Sequence, residues 1–203
     1  MRFHPSCFRS LAISTLLLAT VAAPASAATI VVTSTADEAD VAPNGTCTLR
    51  EAVLAANSNA ARDACAAGEA SPVVDRIEIP AGLYVLTIAG GDTVGLLGDL
   101  DVSDSAVLVG EGADQTILDG NRIDRILKVS PLPGSTIAVE VHDLTARNGF
   151  TPGVGGCLAN GSSSTLLVQH VTVTGCEATL QGGGVTGATI RDSVLIGQVG
   201  VFD

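Results

Sequence analysis

The chain has 203 residues, 46% hydrophobic, 15% charged and 2% aromatic, which suits one globular domain or one short repeat array and excludes a disordered tail. Ten Lys+Arg against 21 Asp+Glu give a formal charge of −11, which excludes tight nucleic-acid binding, since that needs a dense cationic face to displace counterions from phosphates. With no Trp, one Tyr and 23 Gly, the core must be aliphatic and the turns many, a β-rich composition.

Residues 1–27 read as a secretory signal: Arg2 and Arg9 precede an apolar run from Leu11 to Ala23, and Ala25-Ser26-Ala27 supplies the small-residue cleavage pattern. The run is short of the roughly 20 apolar residues of a membrane span, no later stretch is longer, and Cys7 precedes it instead of following it as a lipoprotein anchor requires. Cleavage near Ala27 leaves eight basic against 21 acidic side chains, a balance of −13, on a chain secreted or displayed at the cell surface. Four cysteines survive it: Cys47, Cys65, Cys157 and Cys176. An even number in an exported chain favours disulfides. Of three pairings, Cys47–Cys65 and Cys157–Cys176 are preferred because each closes a short local loop, contributing on the order of 3 kcal/mol. Zinc is the lesser alternative, because no Cys-x-x-Cys is present and His142 and His170 are not arranged as partners.

In chain order, residues 28–72 form an N-terminal region and 73–203 a repeat array. Thr29 to Thr35 is a β-branched run that reads as a starting strand. Thr48 stands three residues before Glu51 in the capping-box arrangement, and Leu49, Ala52, Val53 and Ala56 fall on one apolar face of a short helix ending near Asn57-Ser58-Asn59. From Val73 the chain becomes short β-rich runs at 76–79, 84–88, 106–109 and 116–118, broken by Gly, Asp, Asn and Pro. The later half repeats itself: Val139 to Thr145 matches Leu167 to Thr172 and Ala188 to Val194, with Asp143, His170 and Asp192 spaced 27 and 22 apart. Gly155-Gly156-Cys157-Leu158 recurs 27 residues on as Gly182-Gly183-Gly184-Val185. Two markers at one period point to a parallel β-helix of roughly five coils in 73–203, capped at its N-terminal end by the helix. The sequence reaches Gly200-Val201-Phe202-Asp203 straight after a strand with no polar cap, so the expectation is either that the repeat array is truncated there or that another molecule covers the uncapped last coil, self-association included.

Cys47-Thr48-Leu49-Arg50-Glu51-Ala52-Val53, continuing to Ala55-Ala56-Asn57, resembles the CSLREA-type N-terminal region of secreted bacterial proteins. The resemblance continues through Asp75 to Tyr84, Gly98 to Val102 and Gly110 to Gly120, covering essentially the whole mature chain. It implies an all-β fold, a right-handed parallel β-helix of the pectate-lyase-like class, in an exported or surface-displayed protein, and carries no reaction with it. Where such repeats place Gly and Asn, this chain has Cys157 and Cys176, a paired replacement that supports their bonding to each other. The chain is also shorter than such relatives, which run on through more coils and a surface-sorting tail.

Asp92, Asp99, Asp101 and Asp104 are weak candidates for Ca²⁺; the stronger reading is acidic turn residues, so no metal or other cofactor is expected. A lyase reaction would need a bound cation beside an Arg or Lys base, and Arg122, Arg125, Lys128 and Arg147 lie near Asp119, Asp124 and Asp143, but no motif joins them. No carboxylate pair is marked for glycosidase chemistry. His142-Asp143, His170 and Ser162 to Ser164 hold triad residue types without a nucleophile-elbow sequence, and read as exposed turns. Asn44-Gly45-Thr46 and Asn160-Gly161-Ser162 fit the glycosylation sequon and also read as turns. Only Tyr84, Phe150 and Phe202 are at hand to stack on sugar rings. The leading expectation is a non-catalytic module for surface structure, adhesion or glycan contact, with polysaccharide or cell-surface partners; the alternative is a Ca²⁺-assisted polysaccharide-degrading enzyme.

Overall fold

The computed structural model describes Met1, residues 27–39 and residues 43–200. Residues 2–26 of the expected signal and the last three residues of the sequence, Phe202 among them, lie outside the described residues. The elements begin with β1 (Thr29–Val31), α1 (Leu49–Ser58), β2 (Asp75–Glu78), β3 (Gly82–Val85), β4 (Leu100–Val102), β5 (Ala106–Val109) and β6 (Thr116–Asp119). They continue with β7 (Leu127–Val129), β8 (Ile137–His142), β9 (Thr145–Arg147), β10 (Phe150–Thr151), β11 (Leu158–Asn160) and β12 (Ser164–Gln169). The last are β13 (Thr172–Thr174), β14 (Glu177–Ala178), β15 (Val185–Thr186), β16 (Thr189–Arg191) and β17 (Val194–Ile196).

Among the described residues the fold is mostly β with one short helix, and its ladders are parallel without closing into a barrel. One sheet runs β1-β2-β5-β8-β12-β16, a second β3-β6-β9-β13-β17, a third β4-β7-β11-β15, and β10 pairs with β14. The sequence does not single out the third sheet, because strands of two or three residues carry too few positions to show an alternating pattern.

Period-2 alternation aims one residue in two at the core, and parallel register stacks those residues on one another. Ile30, Ile77, Leu108, Val141 and Val168 are successive partners in the first sheet, and all are buried. The turns repeat as the strands do. Asp143, His170 and Asp192 all sit in the left-handed region (φ 54°, 53° and 45°), and so do Asn148, Gly175 and Gly197 (φ 56°, 62° and 63°). Each set is spaced 27 and then 22 residues apart, so both spacings mark recurring left-handed corners. The second marker pairs directly, Leu158 with Val185, and there the backbones approach so closely that a Cβ on Gly156 would lie 2.0 Å from the Gly183 carbonyl oxygen.

Two expected strands are shorter than their β-branched runs. Beyond Val31, Thr33 and Ser34 turn their N–H groups to the Cys47 carbonyl. Beyond Val85, Thr87 and Ile88 donate theirs to the Asp37 carboxylate. The helix is also more deeply set than one apolar face requires, with every residue from Leu49 to Ala56 buried.

Candidate functional site

The N-terminal motif resolves into a clamp. Thr48 caps α1: its N–H donates to Glu51 Oε2 at 3.0 Å, and the Glu51 N–H returns a bond to Thr48 Oγ1 at 3.3 Å. Cys47, one residue earlier, is disulfide-bonded to Cys65. Arg50 points to the other side of the helix and is fully buried. Its Nε and Nη2 grip both oxygens of Asp37 at 2.7 and 3.2 Å, and its remaining donors reach the carbonyls of Gly95 (2.9 Å), Gly98 (2.8 Å) and Asp99 (3.4 Å). All five guanidinium donors are thus used, which a buried charge requires. The sequence held one signal of this, a lone cation in a short helix, but nothing in it pointed to Asp37 as the partner.

The acidic segment 92–104 does not converge. Asp92 accepts the N–H groups of Val94, Gly95 and Leu97 and folds its own loop. Asp99 pairs with Arg125 Nε at 2.7 Å, and Asp104 accepts from Asn59 Nδ2, the Ser71 hydroxyl and the Ser105 N–H. Asp101 is fully buried, and neither of its carboxylate oxygens has a hydrogen-bond partner; Lys128 Nζ stands 3.9 Å away. Burial pushes the Asp101 carboxyl up to about 6, helped by neighbouring Asp99 and opposed by Lys128. Burial, then Asp99, also raises the Asp124 carboxyl. Among the described residues no three His, Cys, Asp or Glu side chains are arranged to hold a metal ion, and these oxygens do not form the multidentate cage that Ca²⁺ takes.

The basic residues weighed as catalytic bases are each engaged by an acid distant in sequence. Lys128 is the strand partner of Asp101, and Arg147 is the partner of Asp119, which it meets at 2.7 Å. Arg122 bonds Glu177 at 2.5 Å and lies 5.6 Å over the Phe150 ring. Two of these pairs, Asp101–Lys128 and Asp119–Arg147, occupy directly opposed strand positions, the cross-strand arrangement that favours opposite charges.

His142 Nε2 sits 2.8 Å from Glu140, and His170 stands between Asp143 (3.3 Å) and Asp192 (4.0 Å) on an exposed corner. Ser164 is at the opposite end of β12 from His170, six extended residues or about 20 Å away, and its hydroxyl bonds Asn160 at 2.7 Å. No triad is assembled from these residues. Asn44 and Asn160 are both turn formers, bonding Thr46 and Ser164. Tyr84 is in the core with its hydroxyl on the Pro80 carbonyl, so it offers no ring to a ligand. An apolar groove of about 280 Å³ lies between Leu54 and Asn57 of α1 and Val94, Leu96 and Leu132, its Asn57 amide already engaged by Asp101 and Ser103 backbone.

Cys157 and Cys176 form the second disulfide, and two disulfides suit an oxidising compartment. No helix among the described residues is long and apolar enough to cross a membrane. No family model, curated protein or solved structure matches the chain.

Proposed function

We propose that the chain is an exported right-handed parallel β-helix of the pectate-lyase-like class with a CSLREA-type N-terminal region, serving as a non-catalytic module for surface structure, adhesion or glycan contact. The observation that carries this reading is the parallel pairing of successive strands in three sheets, with side chains far apart in sequence ion-paired across neighbouring segments. A stack of this kind is a rigid rod with a repeating exterior, suited to presenting contacts along a polymer. Right-handedness follows from the strong chirality preference of parallel crossover connections. The disulfides support export, and the capped, cross-linked N-terminal clamp supports a helix end that is covered.

At the other end, the outer edges of β15, β16 and β17 have no strand partner among the described residues. Ile190 and Leu195, strand partners of the fully buried Val168 and Val173, are each 42% exposed. A second copy of the chain is our reading of what covers them.

The test of the main reading is to incubate the protein with a polysaccharide panel, with and without Ca²⁺, measuring retention on the polymer and release of unsaturated or reducing ends. Retention without turnover is expected. Ca²⁺-dependent turnover abolished by replacing one Asp or Arg would instead establish the enzyme alternative.

A further inference from the structure

We propose that Phe150, Arg122 and Glu177 form a binding site for one pyranose ring of a neutral glycan, an assignment that rests on the glycan-contact reading above. The chain has no Trp and one Tyr, and that Tyr84 is buried; Phe3, Phe8 and Phe202 lie outside the described residues. Phe150 is therefore the one partly exposed aromatic ring among the described residues. It sits on β10, a two-residue strand that pairs only with β14, outside the three longer sheets. Its strand partner is Glu177, and Arg122 reaches over the ring from the preceding coil to bond that same Glu177. Ring, cation and carboxylate thus come from three successive coils and meet at one surface point.

The backbone beneath this cluster is held in an uncommon state. Asn121 and Arg122 are consecutive non-glycine residues at φ 50° and 58°. That conformation is sparsely populated, and it is kept because Asn121 N–H bonds Asp119 Oδ1 at 2.9 Å and Arg122 N–H bonds the Asn148 carbonyl at 2.8 Å.

The chemistry fits a sugar. The C–H face of a pyranose packs on an aromatic face, and vicinal hydroxyls match the fork of a guanidinium and the two oxygens of a carboxylate. The Arg122 side chain is 55% exposed and Glu177 32%, so both are reachable from solvent. An ion pair this exposed is weak, so a sugar can slide the guanidinium off the ring and keep it as a hydroxyl donor. The Glu177 carboxylate and the chain's −11 charge select against a uronate.

Affinity electrophoresis of the full chain in gels containing a β-glucan, a mannan, a xylan or polygalacturonate tests this. Phe150→Leu keeps an apolar side chain while removing the ring, and circular dichroism with non-reducing gels verifies its fold. The expected result is retardation of the wild type by at least one neutral polymer, no retardation by polygalacturonate, and weakening by about tenfold or more in Phe150→Leu and in Arg122→Ala. Equal retardation of wild type and both variants overturns the site and leaves the glycan reading standing. No retardation of the wild type by any polymer overturns the glycan reading itself.

Discussion

Replacing Asp101 with Asn removes a buried charge while keeping the side-chain shape, and its effect on stability depends on pH. In the folded chain the Asp101 carboxyl is pushed from 3.8 up to about 6, chiefly by burial. The native state therefore binds more protons than the unfolded state between these values, so stability falls as pH rises through the window and the cost is complete above about pH 6. A rise of this size corresponds to a cost on the order of 3 kcal/mol. The Asn amide also lacks partners at this position, but that penalty is the same at every pH. Urea unfolding of wild type and Asp101→Asn under non-reducing conditions should therefore show the variant gaining on the wild type by up to about 3 kcal/mol between pH 3.5 and pH 7.5. Stability curves that stay parallel across this range would mean that burial does not hold the Asp101 proton.

Arg50→Met strips Asp37 of its cation and leaves the Gly95 and Gly98 carbonyls without their donor, so equilibrium unfolding should show a loss of about 3–5 kcal/mol; a loss under about 1 kcal/mol would make the clamp dispensable. Gly156→Ala places a Cβ 2.0 Å from the Gly183 oxygen and 2.6 Å from the Glu177 oxygen, both backbone atoms; soluble expression should fall sharply, and a well-folded variant would contradict the tight approach of the two segments. Cys157→Ser with Cys176→Ser should cost about 3 kcal/mol, and non-reducing peptide maps of the wild type should contain no Cys47–Cys157 or Cys47–Cys176 peptide. If the exposed edge binds a second copy, Ile190→Glu with Leu195→Glu shifts the sedimentation coefficient of concentrated protein to that of a monomer; an unchanged distribution would place any self-association elsewhere.

Much of the local structure was legible in the sequence because its causes are local. The Thr48 and Glu51 cap is set by a three-residue spacing, and the corners at Asp143, His170 and Asp192 show as a repeated motif because the same left-handed turn recurs. The disulfide partners followed from loop length. The electrostatics were not legible, because they depend on which residues become neighbours once parallel strands pair. Arg125 meets Asp99 26 residues away and Arg147 meets Asp119 28 residues away, and no sequence pattern states either register. Arg50 reaches Asp37 and Gly98 from opposite directions along the chain. Tyr84 and Phe150 looked alike in the sequence as stacking rings, and only packing separates the buried one from the partly exposed one.

Every site described depends on each strand lying directly on its parallel partner, and paired cysteines probe the stacking that the proposed β-helix requires. Val107 is the strand partner of Glu140, which in turn partners Leu167. Neighbouring strands are about 4.8 Å apart, within disulfide reach, whereas two steps are about 10 Å and beyond it. Mild oxidation of Val107→Cys with Glu140→Cys should form a cross-link, and Val107→Cys with Leu167→Cys should not. A cross-link in the second pair and none in the first would contradict the coil register and the β-helix with it.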